Sequence, residues 1–558
     1  MRALWAELRR RHVVRMAVAY CALAWLVLQV AALLVPIFDI PNWALKLLVL
    51  VVVLGFPFAL LFSWHYAWAD GGLVRESATA GEPRGSAATA GFDAVQAIAP
   101  APAEASIAVL PLVNMSSDRE QDYFSDGLSE ELLNLLAQVP GLHVAGRTSS
   151  FSFKDKPATI GEIGRALNVA TVLEGSVRKS GERVRITAQL VKARDGYHLW
   201  SQAYDRELTD IFAVQDEIAA AVVDALKLRL LPAQQPSTAG HHVPGTAAYK
   251  NFLLGRQLLN RATEEGFHRA VGEFAQAVAL EPGYAAALAG LALAEAYASD
   301  YTDSDAAMLA GRERAGDAAE RAVASDPLLG EAYTARAVLR FVFDLDWNGG
   351  DADFAQALVF NPGDVMTHWQ YSRLLAALGR LPEALASASQ ATQLDPLSAQ
   401  AWEIRARYEL ASGDIAAARR SLEQALDLAP DHGRAPLGLG MAALLEGDPA
   451  AARAWYARSN NETFRLAGLA MAAHDLGDDA ESRRVLQELL AGHAHNSAYQ
   501  IAGVFAWRNE RGTAFDWLQR AVAQRDAGLQ YLKYDPALRS LRSDARYPRL
   551  LQQLGLPT

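Results

Sequence analysis

Hydrophobic and polar residues follow four rhythms along this chain. Over 16–35 and 45–64 the residues are almost all apolar, and each run is long enough to cross a bilayer as a helix. The PIFDIPNWALK between them leaves room only for a tight turn. Over 70–104 Ala, Gly, Pro, Ser and Thr dominate with little periodicity, the texture of a flexible tether. Over 105–232 short apolar runs alternate with helical patterns. SIAVLPL (106–112) reads as a buried strand, 128–139 as an amphipathic helix, 142–145 as a short strand and 160–167 as a helix. Residues 171–178 and 183–192 read as strands joined at Ser180-Gly181, 198–204 as a third strand, and 211–231 as a helix ended by Pro232. That order predicts a small α+β layer fold. Beyond 247 the spacing is helical throughout.

The helical part repeats. Pro327, Pro362, Pro396 and Pro430 lie 35, 34 and 34 residues apart, and Gly379, Gly413 and Gly447 are each 34 apart. A period of 34 residues is that of the tetratricopeptide repeat (TPR), a pair of antiparallel helices. In the unit 364–396, helix A runs over 364–378 and stops at Gly379, a residue free to adopt the left-handed conformation. Pro382 opens helix B, which carries Ala384, Leu385, Ala388, Ala391 and Leu394 on one face, and Pro396 ends it. Pro282 precedes Pro327 by 45 residues, so that unit carries an insertion, placed near 300–310. After Gly447 the spacing loosens to 30 and then 35, which predicts divergent repeats and a terminal cap. Stacked units bury a shared core and curve into a superhelix with a concave binding surface.

The expected fold class is therefore multidomain: a two-helix transmembrane hairpin (1–69), a linker (70–104), an α/β domain (105–232), a second linker (233–246) and an all-α TPR solenoid with a C-terminal cap (247–558). Arg2, Arg9, Arg10, Arg11 and Arg15 precede the first apolar run, and only Lys46 lies in the turn. The positive-inside rule then puts the N-terminus, and after two spans the soluble domains, in the cytoplasm at a bacterial inner membrane. The net charge of −11 argues against nucleic-acid binding. The one cysteine, Cys21, excludes an intramolecular disulfide and a cysteine-based zinc cluster.

The α/β stretch resembles a known family. IAVLPLVNMSSDREQDYFSDGLSEELLNLLAQVPGLHVAGRTSSFSFK and EIGRALNVATVLEGSVRKSGERVRITAQLVKARDGYHLWSQAYDRELTDIFAVQDEIA are similar to the bacterial TolB amino-terminal-like (FlgO-like) domain that precedes TPR arrays. The hairpin ELRRRHVVRMAVAYCALAWLVLQVA…GFPFALLFSWHY and the tail DPALRSLRSDARYPRLLQQLGL resemble the same family. Relatives carry a winged-helix or nucleotide-cyclase domain in place of the hairpin. The resemblance therefore implies a signalling or regulatory setting, and explains why such proteins are labelled adenylate-cyclase-related. It implies no catalytic residues.

Candidate chemistry is sparse. G-x-x-x-x-G-K-[ST], H-E-x-x-H, G-x-S-x-G and a G-x-G-x-x-G after a strand are all missing, so no enzyme, cofactor or metal is expected. Asp344, Asp346, Asn348 and Gly349 imitate the start of an EF-hand loop, but its twelfth position is Ala355, not Glu. The pairs His241/His242 and His493/His495 lack companion ligands. Asp122, Ser125, Asp126, Glu130 and Glu131 complement a helix start. Arg183 and Arg185, on the outer face of a hairpin, are candidates for an anion or ligand face; a solvated sheet face explains them as well. On the inner helices of two central repeats, Trp369, Arg373, Trp402, Arg405 and Tyr408 are candidates for partner binding. The reading that follows is a membrane-anchored adaptor with a protein or peptide in its TPR groove, touching the bilayer through its hairpin and able to self-associate. The alternatives are a sensor whose α/β domain binds a small molecule and, more weakly, an envelope assembly factor.

Overall fold

The structure, a computed structural model, describes residues 66–69, 72–75, 105–116, 122–226, 244–302 and 304–558. The chain divides into two units, 1–86 and 87–558. In the first, β1 (Tyr66–Ala69) and β2 (Gly72–Arg75) pair antiparallel, with Ala69 opposite Gly72. Asp70-Gly71 lies between them in sequence, the pair that two-residue hairpins favour. Strands thus stand just beyond the expected second span, 45–64, and at the start of the expected tether. The fold class and the inner-membrane location are corrected accordingly. Among the described residues no helix is long and apolar enough to cross a membrane, and the two expected spans, 16–35 and 45–64, lie outside the described residues. Hydropathy counts apolar residues; it does not test whether they build one helix. The expected bilayer contact goes with the hairpin.

The second unit opens with the α/β module. Its elements are β3 (Ser106–Val109), β4 (Val113–Asn114), α1 (Asp122–Ala137), β5 (His143–Val144), α2 (Arg147–Phe151), α3 (Ile160–Ala166), β6 (Thr171–Ser180), β7 (Arg183–Lys192), β8 (His198–Glu207) and α4 (Ile211–Ala225). The strands form one sheet in the order β5-β3-β6-β7-β8, with β4 also on β6. β5, β3 and β6 are parallel; β6, β7 and β8 are antiparallel. Alternation sets the faces. Val184, Ile186, Ala188 and Leu190 are buried against α1 and α4, while Arg183 and Arg185 point outward. On the other face α2 and α3 cover only the parallel half, through Ile163, Leu167 and Val172.

Eight helix pairs follow: α5 (Thr246–Asn260) and α6 (Glu264–Leu280), α7 (Ala285–Ser299) and α8 (Asp305–Ser325), α9 (Gly330–Leu339) and α10 (Trp347–Phe360), α11 (Val365–Ala377) and α12 (Leu381–Leu394), α13 (Ala399–Ser412) and α14 (Ile415–Leu428), α15 (Ala435–Glu446) and α16 (Pro449–Tyr456), α17 (Glu462–Asp475) and α18 (Asp479–His493), α19 (Ala498–Trp507) and α20 (Arg511–Gln524). A tail of short turns and α21 (Tyr547–Gln553) closes the chain. Side-chain caps start the helices: Asp364, Ser398, Asp414 and Asp448 each accept the N–H three residues on. Gly379 and Gly413, at φ of 83° and 85°, take the left-handed turn that ends the inner helices. Ala384, Ala388 and Ala391 are fully buried, so helices approach closely. The insertion in the second pair is taken up by the 21 residues of α8.

The module is bonded to the turns between repeats. Gly146 N–H donates to the Leu394 carbonyl (2.6 Å) and Gly363 N–H to that of Ala137 (3.2 Å). Ser149 N–H donates to Asp395 Oδ1 (2.7 Å), and Leu397 N–H to Ser149 Oγ (2.9 Å). At Gly363 a Cβ would stand 2.9 Å from the Ala137 oxygen, so this approach needs glycine. The tail returns as well: Trp347 Nε1 donates to the Leu554 carbonyl (2.7 Å), and Lys533 Nζ to those of Leu378 and Pro557 (2.9 Å each).

Candidate functional site

The first helices of the pairs form the inner wall of the superhelix, and between them and the tail lies a cavity of about 480 Å³. α7, α11, α17 and α19 contribute Tyr297, Gln370 and Arg373, Phe464, and Gln500. Arg434, just before α15, and Tyr531, from the tail, complete it and also line an adjoining hollow of about 160 Å³.

Three guanidinium groups dominate this lumen. Arg373 donates to the amide oxygens of Gln370 and Gln530 (2.7 Å each) and lies 5.6 Å from the Phe341 ring centre. Arg407 binds Glu403 (2.7 Å) and stands 5.1 Å over Tyr531. Arg434 stands 5.6 Å over Phe464. Burial pushes the Tyr531 hydroxyl up, but Arg407, Arg373 and Arg434 together hold it below the ordinary tyrosine value. Tyr408 lies beneath this surface, its ring 5.7 Å from that of Tyr534. Burial keeps its hydroxyl neutral, with a pKa near 12.

The residues singled out in the repeats are divided among different surroundings. Arg373 reaches the lumen and Tyr408 underpins it. Trp369 lies under the Arg373 guanidinium, 5.8 Å from ring centre to Cζ, and also lines a groove of about 400 Å³ between the module and the repeats. Trp402 donates to the Pro396 carbonyl (2.8 Å), and Arg405 binds Glu409 (2.8 Å) while stacking on Trp402. Arg407, Arg434, Gln530 and Tyr531 were not singled out. Glu403 and Arg407 form a legible i,i+4 pair, but no local pattern announces that the tail folds inward.

The groove between module and repeats has its own charge cluster. Arg256 of α5 binds Glu131 and Glu331 (3.1 Å to the latter) and lies 4.0 Å from Glu130. Burial pushes Glu131 up to about 7, against the pull of Arg256 and with the help of Glu331 and Glu130. Glu130 and Glu131, expected at a helix start, stand in the middle of α1 and are spent on this internal contact.

In the module, Arg183 pairs with Asp205 across strands (3.0 Å), and Arg185 is exposed opposite the same residue. A larger cleft, about 1090 Å³, lies beside the end of β3 and the middle of β6. Glu174, Ser176, Thr187 and Gln189 of the uncovered sheet face line it, opposite Lys154 and Asp126, which pair at 2.7 Å. Asp346 caps α10 by accepting from Gly349 N–H (2.9 Å). His493 faces Glu462 at 3.5 Å, and His241 and His242 lie outside the described residues.

The family model for the tetratricopeptide repeat matches residues 370–414 and 405–460. A protein of Rhizobium meliloti (strain 1021) named "Putative adenylate cyclase 3" is 41% identical over 192 residues, which is 34% of this chain and 33% of that protein. The chain therefore spans about a third of the length of this curated relative. Among solved structures, Pseudomonas aeruginosa pilF is similar at 20% identity over 33% of this chain and 86% of its own, with a TM-score of 0.29. YrrB, described as a TPR protein with an unusual peptide-binding site, is similar at 20% identity over 34% and 89%, with a TM-score of 0.24. Residues 370–460 of this chain are tetratricopeptide repeats, a fold that serves as a protein-binding scaffold.

Proposed function

We propose that this protein is a non-enzymatic adaptor that holds a peptide segment of a protein partner in the lumen of its repeats, within a signalling or regulatory pathway. The observation that carries this reading is the 480 Å³ cavity walled by the inner helices and the tail. It combines aromatic surface with amide side chains, the pairing that recognises an extended backbone and its side chains together. The regulatory setting draws on the resemblance of 105–232 to the TolB amino-terminal-like domain and on the name of the Rhizobium relative. Random peptides displayed on phage, panned against the full chain, test it. Enriched peptides are expected to bind the Arg183→Glu/Arg185→Glu variant as well as the parent, and to lose binding to Gln500→Trp, which fills the cavity. Absence of enrichment, or binding indifferent to Gln500→Trp, sinks the reading.

A second reading rests on the cleft in the module. Small-molecule sites favour the carboxyl ends of parallel strands, and this cleft lies at the carboxyl end of β3. In this reading the module senses a metabolite and the repeats pass on its state. A hit in a thermal-shift screen is expected to stabilise the full chain, by about 2.7 kcal/mol at a hundredfold excess over Kd, and to fail with Ser176→Trp. A broad metabolite collection without a hit removes this reading.

A further inference from the structure

We propose that the lumen selects acidic peptides, receiving a carboxylate between Arg373 and Arg434. This rests on the reading of the lumen as a peptide site and names the class of peptide.

The argument starts from charge compensation. Every acid facing the lumen already has donors. Glu403 is bound by Arg407 and Asp300 by Arg312 at 3.3 Å. Asp526 accepts from the N–H groups of Tyr499 and Gly528, and Asp535 from the Tyr499 hydroxyl and Ala537 N–H. Arg373 and Arg434 have no acid of their own: Glu403 feels Arg434 but is bound by Arg407. Arg373 is held by neutral groups, the amides of Gln370 and Gln530 and the rings of Phe341 and Trp369. Among the described residues no carboxylate lies within ion-pair distance of Arg373 or Arg434, although both line the same cavity. A planar guanidinium with free donors fits a carboxylate through two parallel hydrogen bonds, and partial burial strengthens the pair.

The Tyr531 hydroxyl lies within the positive field of the same arginines. Its ring is half-buried, yet the three arginines bring its hydroxyl below the ordinary value. This field sits inside a chain of net charge −11, so the lumen is a local exception that attracts what the outer surface repels. The rest of the wall favours a peptide over a small inorganic anion. Gln500, Asn461 and Asn496 offer both donors and acceptors along the cavity, and Phe343 and Phe464 offer apolar surface.

The test is fluorescence anisotropy on the full chain with three labelled decapeptides: all-glutamate, all-lysine and a neutral Gly-Ser repeat. The glutamate peptide is expected to bind, more weakly as salt rises, and the lysine peptide is not. Arg434→Gln, at an exposed position, is expected to weaken binding about tenfold or more. Arg373→Gln is expected to do the same, with its melting temperature measured alongside to exclude unfolding. Arg183→Glu/Arg185→Glu is expected to change nothing. The inference falls if the glutamate peptide fails to bind, or if it binds Arg434→Gln as tightly as the parent. It also falls if inorganic phosphate binds the lumen and the glutamate peptide does not. Neutral or basic peptides captured in the lumen independently of Arg434 overturn the charge selection and leave the peptide-site reading standing. No capture of any peptide overturns both.

Discussion

One guanidinium shows how much a single residue can hold together here. Arg256 meets Glu131 of the module, 125 positions earlier, and Glu331 of the third helix pair. Three carboxylates around one cation leave negative charge in excess, and burial makes that excess costly. Hence Glu131 retains a proton to about pH 7, whereas in the unfolded chain it loses it near 4.5. The folded state binds the extra proton between those values. Its stabilising effect is complete below pH 4.5 and is lost as the pH rises to 7. Urea denaturation should find a loss on the order of 3 kcal/mol over that window in the parent, and a smaller one in Glu131→Gln, whose amide cannot titrate while Glu331, also pushed up by burial, still does. Parallel pH profiles for the two proteins would refute this assignment. In the sequence Glu130 and Glu131 look like acids at a helix start. Their partner is invisible there, because no local rule links positions so far apart.

Helix ends, by contrast, were legible one by one. Gly379, Pro382 and Pro396 mark one repeat, and α11 and α12 begin and end within a residue or two of those marks. The burial of Ala384, Ala388 and Ala391 follows from their spacing alone. Less was legible in the module. α1 begins at Asp122, six residues before its apolar stripe, because the polar YFSDG segment continues the helix. The expected strand 106–112 breaks into β3 and β4, and α2 lacks the length for a periodic pattern. Asp326 and Asp395 both stand directly before a repeat proline and look alike in sequence, yet only Asp395 takes the Ser149 N–H of the module. Replacing it with Ala leaves a buried donor unpaired, at a cost of about 1–3 kcal/mol. Asp414→Ala removes only an exposed cap, at about 1 kcal/mol. Limited proteolysis should separate the two: Asp395→Ala is expected to expose the 147–160 region to cleavage, and Asp414→Ala is not. Equal protection in both variants would mean that the module is held without Asp395.

At the scale of the molecule, a solenoid is ordinarily a sum of nearest-neighbour contacts, and this one departs from that rule twice. The module bridges the turns of the third to fifth pairs, and the tail crosses back to α10, α11 and α13. Neither return could be read from a 34-residue period, which describes neighbours only. Of the candidate site, Arg373 was legible as a large charged residue on an inner helix; the tail residues beside it were not. Removing 526–558 takes away Tyr534, Leu538 and Leu541, all buried. The expected cost exceeds about 5 kcal/mol, with a lower urea midpoint and new binding of an apolar dye at the exposed Tyr408 surface. A truncated chain with an unchanged midpoint and no dye binding would show the tail to be dispensable. The returning tail also imposes an order on synthesis. Gln530 leaves the ribosome 157 residues after Arg373, so the repeats assemble with their inner wall unfinished. During that interval Tyr408 is open to solvent, and a helper protein holding the nascent chain meets an aromatic surface that the finished molecule has covered with its tail.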